Sequence, residues 1–283
     1  MLPDPSFLGM MNAMRSLSVS VCGLLASSIA MAQTAVGPAQ PELPAVGEEL
    51  TYAVDFAGVV GAYLKLKVGE GPAAQPGSRV LTAYIASTPM VQQVWRIRDK
   101  IMALYLPGEG RTAATRLWED ENGRRLFREE TYEANRVSVS ERRAEGSRTF
   151  EVAAEQPVLD VFSTLFELRR RPLVEGSVEK ARVYISRKVY EVDAKITREP
   201  LEYRGSEVPA IKVAPALKHK GKTVSDVRFC LWFSDDEQRK PLRIEADISY
   251  GKLAGTLLPA NEITAAAPAT PGPAGSEATA TAE

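Results

Sequence analysis

Apolar and polar residues alternate along much of the chain, and the alternation is strict in four segments: 63–68, 181–187, 227–233 and 242–249. In the first of these, YLKLKV, leucine or valine takes every second position and lysine stands between them. Successive side chains of a strand point to opposite faces. The pattern therefore predicts antiparallel strands with one buried face and one solvated face.

Turn-forming sequences separate these segments, and the clearest is Glu121-Asn122-Gly123, whose Asn-Gly pair tolerates positive φ in a hairpin. Many strands joined by short turns favour closure, because closure removes exposed sheet edges. The fold class predicted is mainly β, with one large antiparallel curved sheet that is spiral or barrel-like. Further strands are predicted at 49–57, 79–87, 94–106, 112–119, 124–133, 136–143, 147–153, 189–198, 208–217 and 252–258.

One segment, 157–171 (PVLDVFSTLFELRRR), breaks the alternation. Its apolar residues recur at helical spacing: Val158, Phe162, Leu165 and Phe166. Asp160 favours a helix start, the three arginines favour its end, and Pro172 stops it. We therefore expect one amphipathic helix near 157–171 that packs on the sheet. Binding to a membrane surface is the alternative, but it would need basic residues along the whole polar face.

The N-terminal residues have the layout of a secretory signal peptide. Arg15 precedes an apolar run, and the run ends in Ala30-Met31-Ala32, an A-x-A cleavage pattern. Residues 1–32 are predicted to be removed after Ala32, which places the mature protein in the periplasm without a transmembrane anchor. A lipoprotein is not expected, because Val21 rather than a small residue precedes Cys22.

The sequence leaves the start codon open among Met1, Met11 and Met14. Behind the signal peptide we predict a Pro-rich leader at 33–46 and a single β-rich domain at 47–259. Residues 260–283 contain mostly Ala, Pro and Thr, and such a segment buries too little apolar surface to offset its ordering entropy. We therefore predict a disordered tail.

The charge and composition of the chain argue against several classes of function. The chain has 35 Lys+Arg against 36 Asp+Glu, so no basic excess points to nucleic acid. One histidine, His219, and one cysteine outside the signal peptide, Cys230, are too few for the usual zinc ligand sets. No nucleophile elbow, phosphate-binding loop or dinucleotide motif is present in the sequence. We expect no cofactor, no metal and no enzyme, although carboxylate-only catalysis stays open.

The most conspicuous acids stand in 234–241, SDDEQRKP, between two alternating segments. A wholly polar connection of this length predicts a hairpin loop, in which Ser234 and Asp235 hydrogen-bond to nearby backbone. A weak cation site or a catalytic role for Asp235, Asp236 and Glu237 is the alternative. Calcium loops usually carry a D-x-D-x-D-G pattern, which this segment lacks.

Three blocks carry a family resemblance: GEELTYAVDFAGVVGAYLKLKV at 47–68, PVLDVFSTLFELRRRPLVEG at 157–176 and LWFSDDEQRKPLRIEAD at 231–247. With them the chain resembles the exported bacterial family known as domain of unknown function 3108. The resemblance implies a periplasmic protein built on a curved or spiralled β-sheet. It implies no activity and no catalytic residues.

Two hypotheses for function remain open. A curved sheet with a helix against it can enclose a cavity for an apolar envelope ligand such as a lipid or acyl chain. Candidate lining residues are Trp95, Trp118, Phe162, Phe166 and Trp232. Alternatively, the protein is an envelope scaffold without a small ligand, whose leader and tail act as tethers and whose sheet edge accepts a partner strand. The oligomeric state is left open.

Overall fold

The structure is a computed structural model that describes residues 44–224, 228–248 and 251–262. The predicted signal peptide lies outside the described residues, as do most of the leader and the tail. Within the described ranges, no helix is both long and apolar enough to span a bilayer.

Strands dominate the described chain, and two helices interrupt them. The helices are α1 (Pro89–Gln92) and α2 (Val161–Arg170). The strands are β1 (Glu49–Phe56), β2 (Val59–Glu70), β3 (Arg79–Ser87), β4 (Arg98–Leu106), β5 (Arg111–Glu121), β6 (Arg124–Tyr132), β7 (Arg136–Arg143), β8 (Gly146–Ala153), β9 (Val178–Ile185), β10 (Lys188–Tyr203), β11 (Ser206–His219), β12 (Lys222–Thr223), β13 (Arg228–Ser234), β14 (Pro241–Ile248) and β15 (Gly251–Leu257).

These strands form one antiparallel sheet in the order β8-β7-β6-β5-β4-β3-β2-β1-β15-β14-β13-β11-β10-β9, with the short β12 beside β11. The prediction of a large antiparallel curved sheet is therefore confirmed. The sheet is not closed, because β8 and β9 are its end strands and no ladder joins them in the described chain. Residues just before α2 run beside β9 instead, where the Leu159 amide donates to the Arg182 carbonyl oxygen at 3.1 Å.

The buried face of the sheet follows the sequence alternation. In β3, every second side chain from Arg79 to Ser87 is buried. Inward residues of most strands merge with both helices into one main core, which includes the fully buried Tyr52, Phe166 and Phe233. Burying side chains of this size contributes roughly 1.5–3 kcal/mol each, so the main core dominates stability.

Helix α2 confirms the predicted helix, but it begins later than expected. Asp160 is its N-cap, and its Oδ1 accepts from the amides of Phe162 at 2.8 Å and Ser163 at 3.2 Å. The preceding residues stay extended, because Leu159 hydrogen-bonds to β9. Eight of the ten helix residues are buried, so α2 lies under the sheet rather than on its surface.

Helix α1 was not predicted, and it lies between the predicted strands 79–87 and 94–106. Pro89 suits the first turn of a helix, and Thr88 caps it through a hydrogen bond from the Val91 amide at 3.5 Å. Val91 and Trp95 are buried, and β4 starts only at Arg98. The strand predicted at 94–106 therefore begins later than expected, at Arg98.

One buried arginine fixes the C-terminal end of α2. The Arg169 side chain is 1% exposed and pairs with Glu48 through two hydrogen bonds of 2.9 Å. It also donates to the main-chain oxygens of Arg239 at 3.0 Å and Gln238 at 3.1 Å. We call these four residues the Arg169 cluster. It ties α2 to the residue before β1 and to the β13–β14 hairpin.

Candidate functional site

The two ends of the sheet meet along a seam, where β6, β7 and β8 face β9 and the start of β10. A small second core fills part of the seam: Tyr132, Val137, Val139, Ala154, Val158 and Tyr184. Beside it lies a cleft of about 280 Å³. One wall of the cleft is formed by β4–β7, and the other by the N-terminal end of α2 and the β9–β10 turn.

Period-2 alternation places polar side chains of the seam inside the cleft. Thr115 and Glu119 of β5 share a face, as do Arg128 and Glu130 of β6, and all four line the cleft. Ile101, Leu117, Val161 and Phe162 supply its apolar surface. The cleft is therefore amphipathic, with a charged part and an apolar part.

Glu141 of β7 organises the arginines of the seam. Its side chain is 1% exposed and accepts from Arg128 Nε at 2.9 Å and Arg148 Nε at 2.6 Å. Arg187 Nη2 donates to both carboxylate oxygens, at 3.1 and 3.0 Å. We call these four residues the Glu141 cluster. Three guanidinium groups share one carboxylate, so the cluster itself carries excess positive charge.

The β9–β10 turn holds Arg187 in an unusual backbone conformation. Ser186 and Arg187 have φ of 44° and 73°, in the left-handed region that side chains other than Gly, Asn and Asp seldom adopt. Both residues line the cleft. The contacts of Arg187 with Glu141 and with the Phe150 ring, 5.3 Å from its guanidinium, offset this strain.

Two acids on the cleft wall differ in how they are held. Glu130 accepts from Thr115 Oγ1 at 2.5 Å and from Tyr132 Oη at 3.2 Å. Burial raises the pKa of Glu130, and the Thr115 hydrogen bond opposes that rise. The carboxylate of Glu119 makes no hydrogen bond or ion pair within the described residues. Burial raises the pKa of Glu119 to about 7, against the longer-range attraction of Arg128.

Tyr184 is the second cleft residue with unmet hydrogen-bonding capacity. It is 3% exposed and packs edge-on against Tyr132, with ring centroids 5.9 Å apart. Its hydroxyl is buried and has no hydrogen-bond partner among the described residues. Burial raises the pKa of Tyr184, so the group is a neutral phenol able to donate.

The aromatic residues predicted to line a cavity do not come together here. Phe162 lines the cleft. Trp95, Phe166 and Trp232 are 6%, 1% and 7% exposed in the main core. Trp118 lies on the outer face of β5, with the Phe127 ring at 5.3 Å and Lys100 Nζ at 5.2 Å from its own ring. A role of these five residues in holding a ligand stays a prediction.

The acidic segment 234–241 forms the tip of the β13–β14 hairpin. Asp236, rather than Asp235, makes the expected backbone contacts, and its Oδ1 accepts from the amides of Gln238 and Arg239 at 2.9 Å. Asp235 pairs with Arg198 at 2.9 Å. In the part of the chain that the structure describes, no group of three or more His, Cys, Asp or Glu is placed to hold a metal ion.

Comparison with known proteins identifies the family. Residues 51–257 match the family described as protein of unknown function (DUF3108). The chain belongs to DUF3108. This confirms the resemblance drawn from the three sequence blocks, and the DUF3108 description assigns no activity to the cleft. No curated protein matches the chain.

Among solved structures, the DUF3108 chain is similar to a Brucella abortus protein described as a beta-barrel-like protein of domain of unknown function DUF1849. The sequences are 11% identical, and the TM-score is 0.48. The similarity covers 76% of this chain and 98% of the other.

Proposed function

We propose that this protein is an exported, periplasmic, non-enzymatic binding protein, and that it takes a small polar or amphipathic ligand in the seam cleft. The observation that carries the proposal is the buried hydroxyl of Tyr184, which has no hydrogen-bond partner among the described residues and lines the same cleft as the carboxylate of Glu119. Buried polar groups in native proteins are nearly always paired. A buried hydroxyl without a partner among the described residues, in a cleft that the Glu119 carboxylate also lines, supports a ligand that pairs both groups.

The lining of the cleft favours a polar ligand over an acyl chain. A purely apolar ligand would remove water from Glu119 and Arg143 without offering hydrogen bonds in its place. Burying a polar group without a partner in this way costs on the order of several kcal/mol. The main core is meanwhile filled by contiguous side chains of the strands and both helices. Of the ligands considered in the lipid hypothesis, the cleft therefore favours those with a polar group and a short apolar body over long acyl chains.

The non-enzymatic part of the proposal rests on the sequence and on the position of His219. This histidine is not among the residues that line the cleft. Its Nδ1 lies 2.9 Å from the carbonyl oxygen of Val189, and its ring packs 5.4 Å from that of Tyr190. The single imidazole of the chain therefore makes these contacts outside the lining of the ligand site that we propose.

The export part of the proposal rests on the signal-peptide pattern at 1–32. Expression of the full-length chain in a Gram-negative host should release mature protein on osmotic shock, and its intact mass should correspond to a chain that begins at Gln33. Retention of the uncleaved chain in the cytoplasm would refute export.

Thermal-shift measurements test the ligand site. We would screen small carboxylates, phosphates, amines and neutral sugars, because a ligand that binds only the folded state raises Tm as its concentration exceeds Kd. At least one class should raise Tm of the wild type, and less so in Tyr184→Phe. If no class raises Tm, or if Tyr184→Phe responds like the wild type, the cleft is not the binding site.

One observation favours the scaffold alternative. Strand β8 pairs only with β7 in the described chain, and most of its side chains are exposed. Such an edge can accept a strand from an envelope protein. Periplasmic crosslinking with a photoreactive residue at Thr149 would capture a partner under this alternative, with and without residues 260–283. A matched probe on the interior strand β2, at Lys65, serves as the control.

A further inference from the structure

Building on the proposed function, we propose that the ligand of the seam cleft is a small organic anion. It would be a carboxylate or phosphate group on a compact apolar body, with the anionic group held by Arg143 and the Tyr184 hydroxyl. We further infer that Glu119 takes up a proton when the anion binds.

Arg143 is the cation that the fold leaves available. It stands at the end of β7, lines the cleft and is exposed. It makes no ion pair and no side-chain hydrogen bond with the described residues. The other two arginines that line the cleft, Arg128 and Arg187, are already engaged by Glu141. A guanidinium with free donors at a cleft mouth matches the planar geometry of an oxyanion.

The acids of the cleft do not cancel this positive charge. Asp160 is engaged by the amides of Phe162 and Ser163 and by Thr112 Oγ1, which donates to it at 2.7 Å. The charged forms of Glu130 and Glu119 are disfavoured by burial. The elements around the cleft therefore present more positive than negative charge to a ligand.

Tyr184 and the apolar surface define the rest of the ligand. The neutral Tyr184 phenol can donate one hydrogen bond to an anion, and its burial makes that bond strong. Ile101, Leu117 and Phe162 offer contact for an apolar body. The volume of about 280 Å³ equals about nine water volumes of about 30 Å³ each, which is enough for a molecule with one ring.

The location of Glu119 couples binding to pH. Burial raises the pKa of Glu119 most, and the attraction of Arg128 opposes that rise; Glu121, Arg143 and Glu141 have smaller effects, of which only that of Arg143 lowers the pKa. An anion beside Arg143 would neutralise the attraction of that arginine and repel the Glu119 carboxylate, so the pKa of Glu119 would rise further. Binding then takes up a proton, and affinity increases as pH falls through the neutral range.

Isothermal titration of the mature protein tests the inference with four probes: benzoate, phenyl phosphate, benzyl alcohol and benzylamine. We expect benzoate or phenyl phosphate to bind at least about tenfold more tightly than either of the other two, a difference of about 1.4 kcal/mol. The tighter of the two anions decides between a carboxylate and a phosphate ligand. Either result supports the anion assignment.

Matched variants locate the anion. Arg143→Gln should weaken anion binding about tenfold or more, the loss expected of one charge-assisted contact. Arg142→Gln is the control, because the neighbouring Arg142 lies over the Phe127 ring on the other face of β7 and should leave affinity unchanged. Both positions are exposed, so neither variant should lower Tm appreciably.

The proton coupling is measured with benzoate, which stays ionised between about pH 6 and pH 8, whereas a phosphate titrates near pH 6 itself. Wild-type affinity should rise as pH falls across this range, and Glu119→Gln should remove the trend. If benzoate binds with the same affinity throughout, the proton coupling is refuted.

The outcomes separate this inference from the proposed function. Equal or tighter binding of benzylamine or benzyl alcohol, weakened by Tyr184→Phe, would overturn the anion assignment and leave a ligand site in the cleft. Unchanged anion affinity in Arg143→Gln would likewise overturn the assignment. If none of the four probes binds and the wider thermal-shift screen is also negative, the proposed function fails together with the inference.

Discussion

The Arg169 cluster and the Glu141 cluster both pair arginine with glutamate, but they differ in the balance of hydrogen-bond donors and acceptors. In the Arg169 cluster, all three guanidinium nitrogens donate, and the acceptors are one carboxylate and two main-chain oxygens. In the Glu141 cluster, three arginines compete for a single buried carboxylate. Donors and acceptors balance in the first cluster, whereas donors exceed acceptors in the second.

This difference separates a structural role from a binding role. A buried charge that is fully hydrogen-bonded fixes the elements around it and has no capacity left for a ligand. The seam retains such capacity, because the side chains of Arg143, Glu119 and Tyr184 make no hydrogen bond or ion pair within the part of the chain that the structure describes.

Among substitutions in the two clusters, the largest effect is expected from Arg169→Ala. Removing this side chain leaves Glu48 and two main-chain oxygens without their partner beneath the hairpin, and breaking a buried pair costs about 3–5 kcal/mol. Urea unfolding of the mature protein should show a reduced midpoint. Arg198→Gln is the control, since Arg198 pairs with Asp235 at the surface and should change little. Equal midpoints for the two variants would refute the structural role of Arg169.

A smaller effect is expected from Glu141→Gln. The substitution removes the shared carboxylate and leaves three arginines close together, at a cost of about 2 kcal/mol for hydrogen bonds to a charged group. Because the second core still holds the seam, amide exchange should accelerate in β7, β8 and the β9–β10 turn, and not in α2. Uniform acceleration, α2 included, would show that the two clusters stabilise one cooperative unit.

The third effect concerns pH. Asp99 is 2% exposed, and burial together with Glu119 and Glu121 raises its pKa to about 8. A carboxyl whose pKa is raised on folding stabilises the protein below its unfolded pKa and loses that contribution as pH rises through the folded value. The free energy of unfolding should therefore fall between pH 4 and pH 8.

Asp99→Asn checks this assignment. The amide oxygen can still accept from the Asp120 amide, which donates to Asp99 at 3.1 Å in the wild type. Near pH 8 the variant should equal or exceed the wild type in stability, by on the order of 1–2 kcal/mol. A variant that is less stable than the wild type at every pH would show that the ionised form of Asp99 is the one that the fold needs.

The smallest effect is expected at the hairpin tip. Replacing Asp235, Asp236 and Glu237 with Ser, Asn and Ser keeps a side-chain acceptor at 236 for the amides of Gln238 and Arg239. All three acids are exposed, so the free energy of unfolding should change by less than about 1 kcal/mol in a thermal unfolding experiment.

Phe233→Asp is the contrasting variant. It places a charge in the main core and should abolish folding. If the triple variant fails to fold instead, the acids have a role beyond the turn.

Local patterns in the sequence were sufficient for the strands, because alternation in a segment such as 63–68 reflects the two faces of the sheet directly. They were also sufficient for the hairpin tip at 234–241. The start of α2 was placed too early, since the hydrogen bonds of Leu159 to β9 are tertiary contacts that no local pattern shows. Helix α1 was missed because it spans only one turn.

The cleft could not be predicted from the sequence, also because tertiary contacts form it. Its groups come from strands far apart in the chain, as with Glu141 and Arg187 or Thr112 and Asp160. The sequence did contain a signal, since Thr115 and Glu119 place polar groups on the face of β5 that also carries Leu117. Polar side chains on a core-facing register indicate a cavity or a buried network, but they do not reveal which strands meet across it.

The contrast between the two clusters is tested most directly by amide exchange of the mature protein. Exchange is measured without ligand and with whichever of benzoate and phenyl phosphate binds more tightly. We expect slower exchange in the ligand complex for β7 and for the β9–β10 turn at Ser186 and Arg187. Peptides that contain Arg169 or the hairpin tip at 234–241 should not change. Protection around Arg169, or no protection at the seam, would contradict the assignment of one cluster to structure and the other to binding.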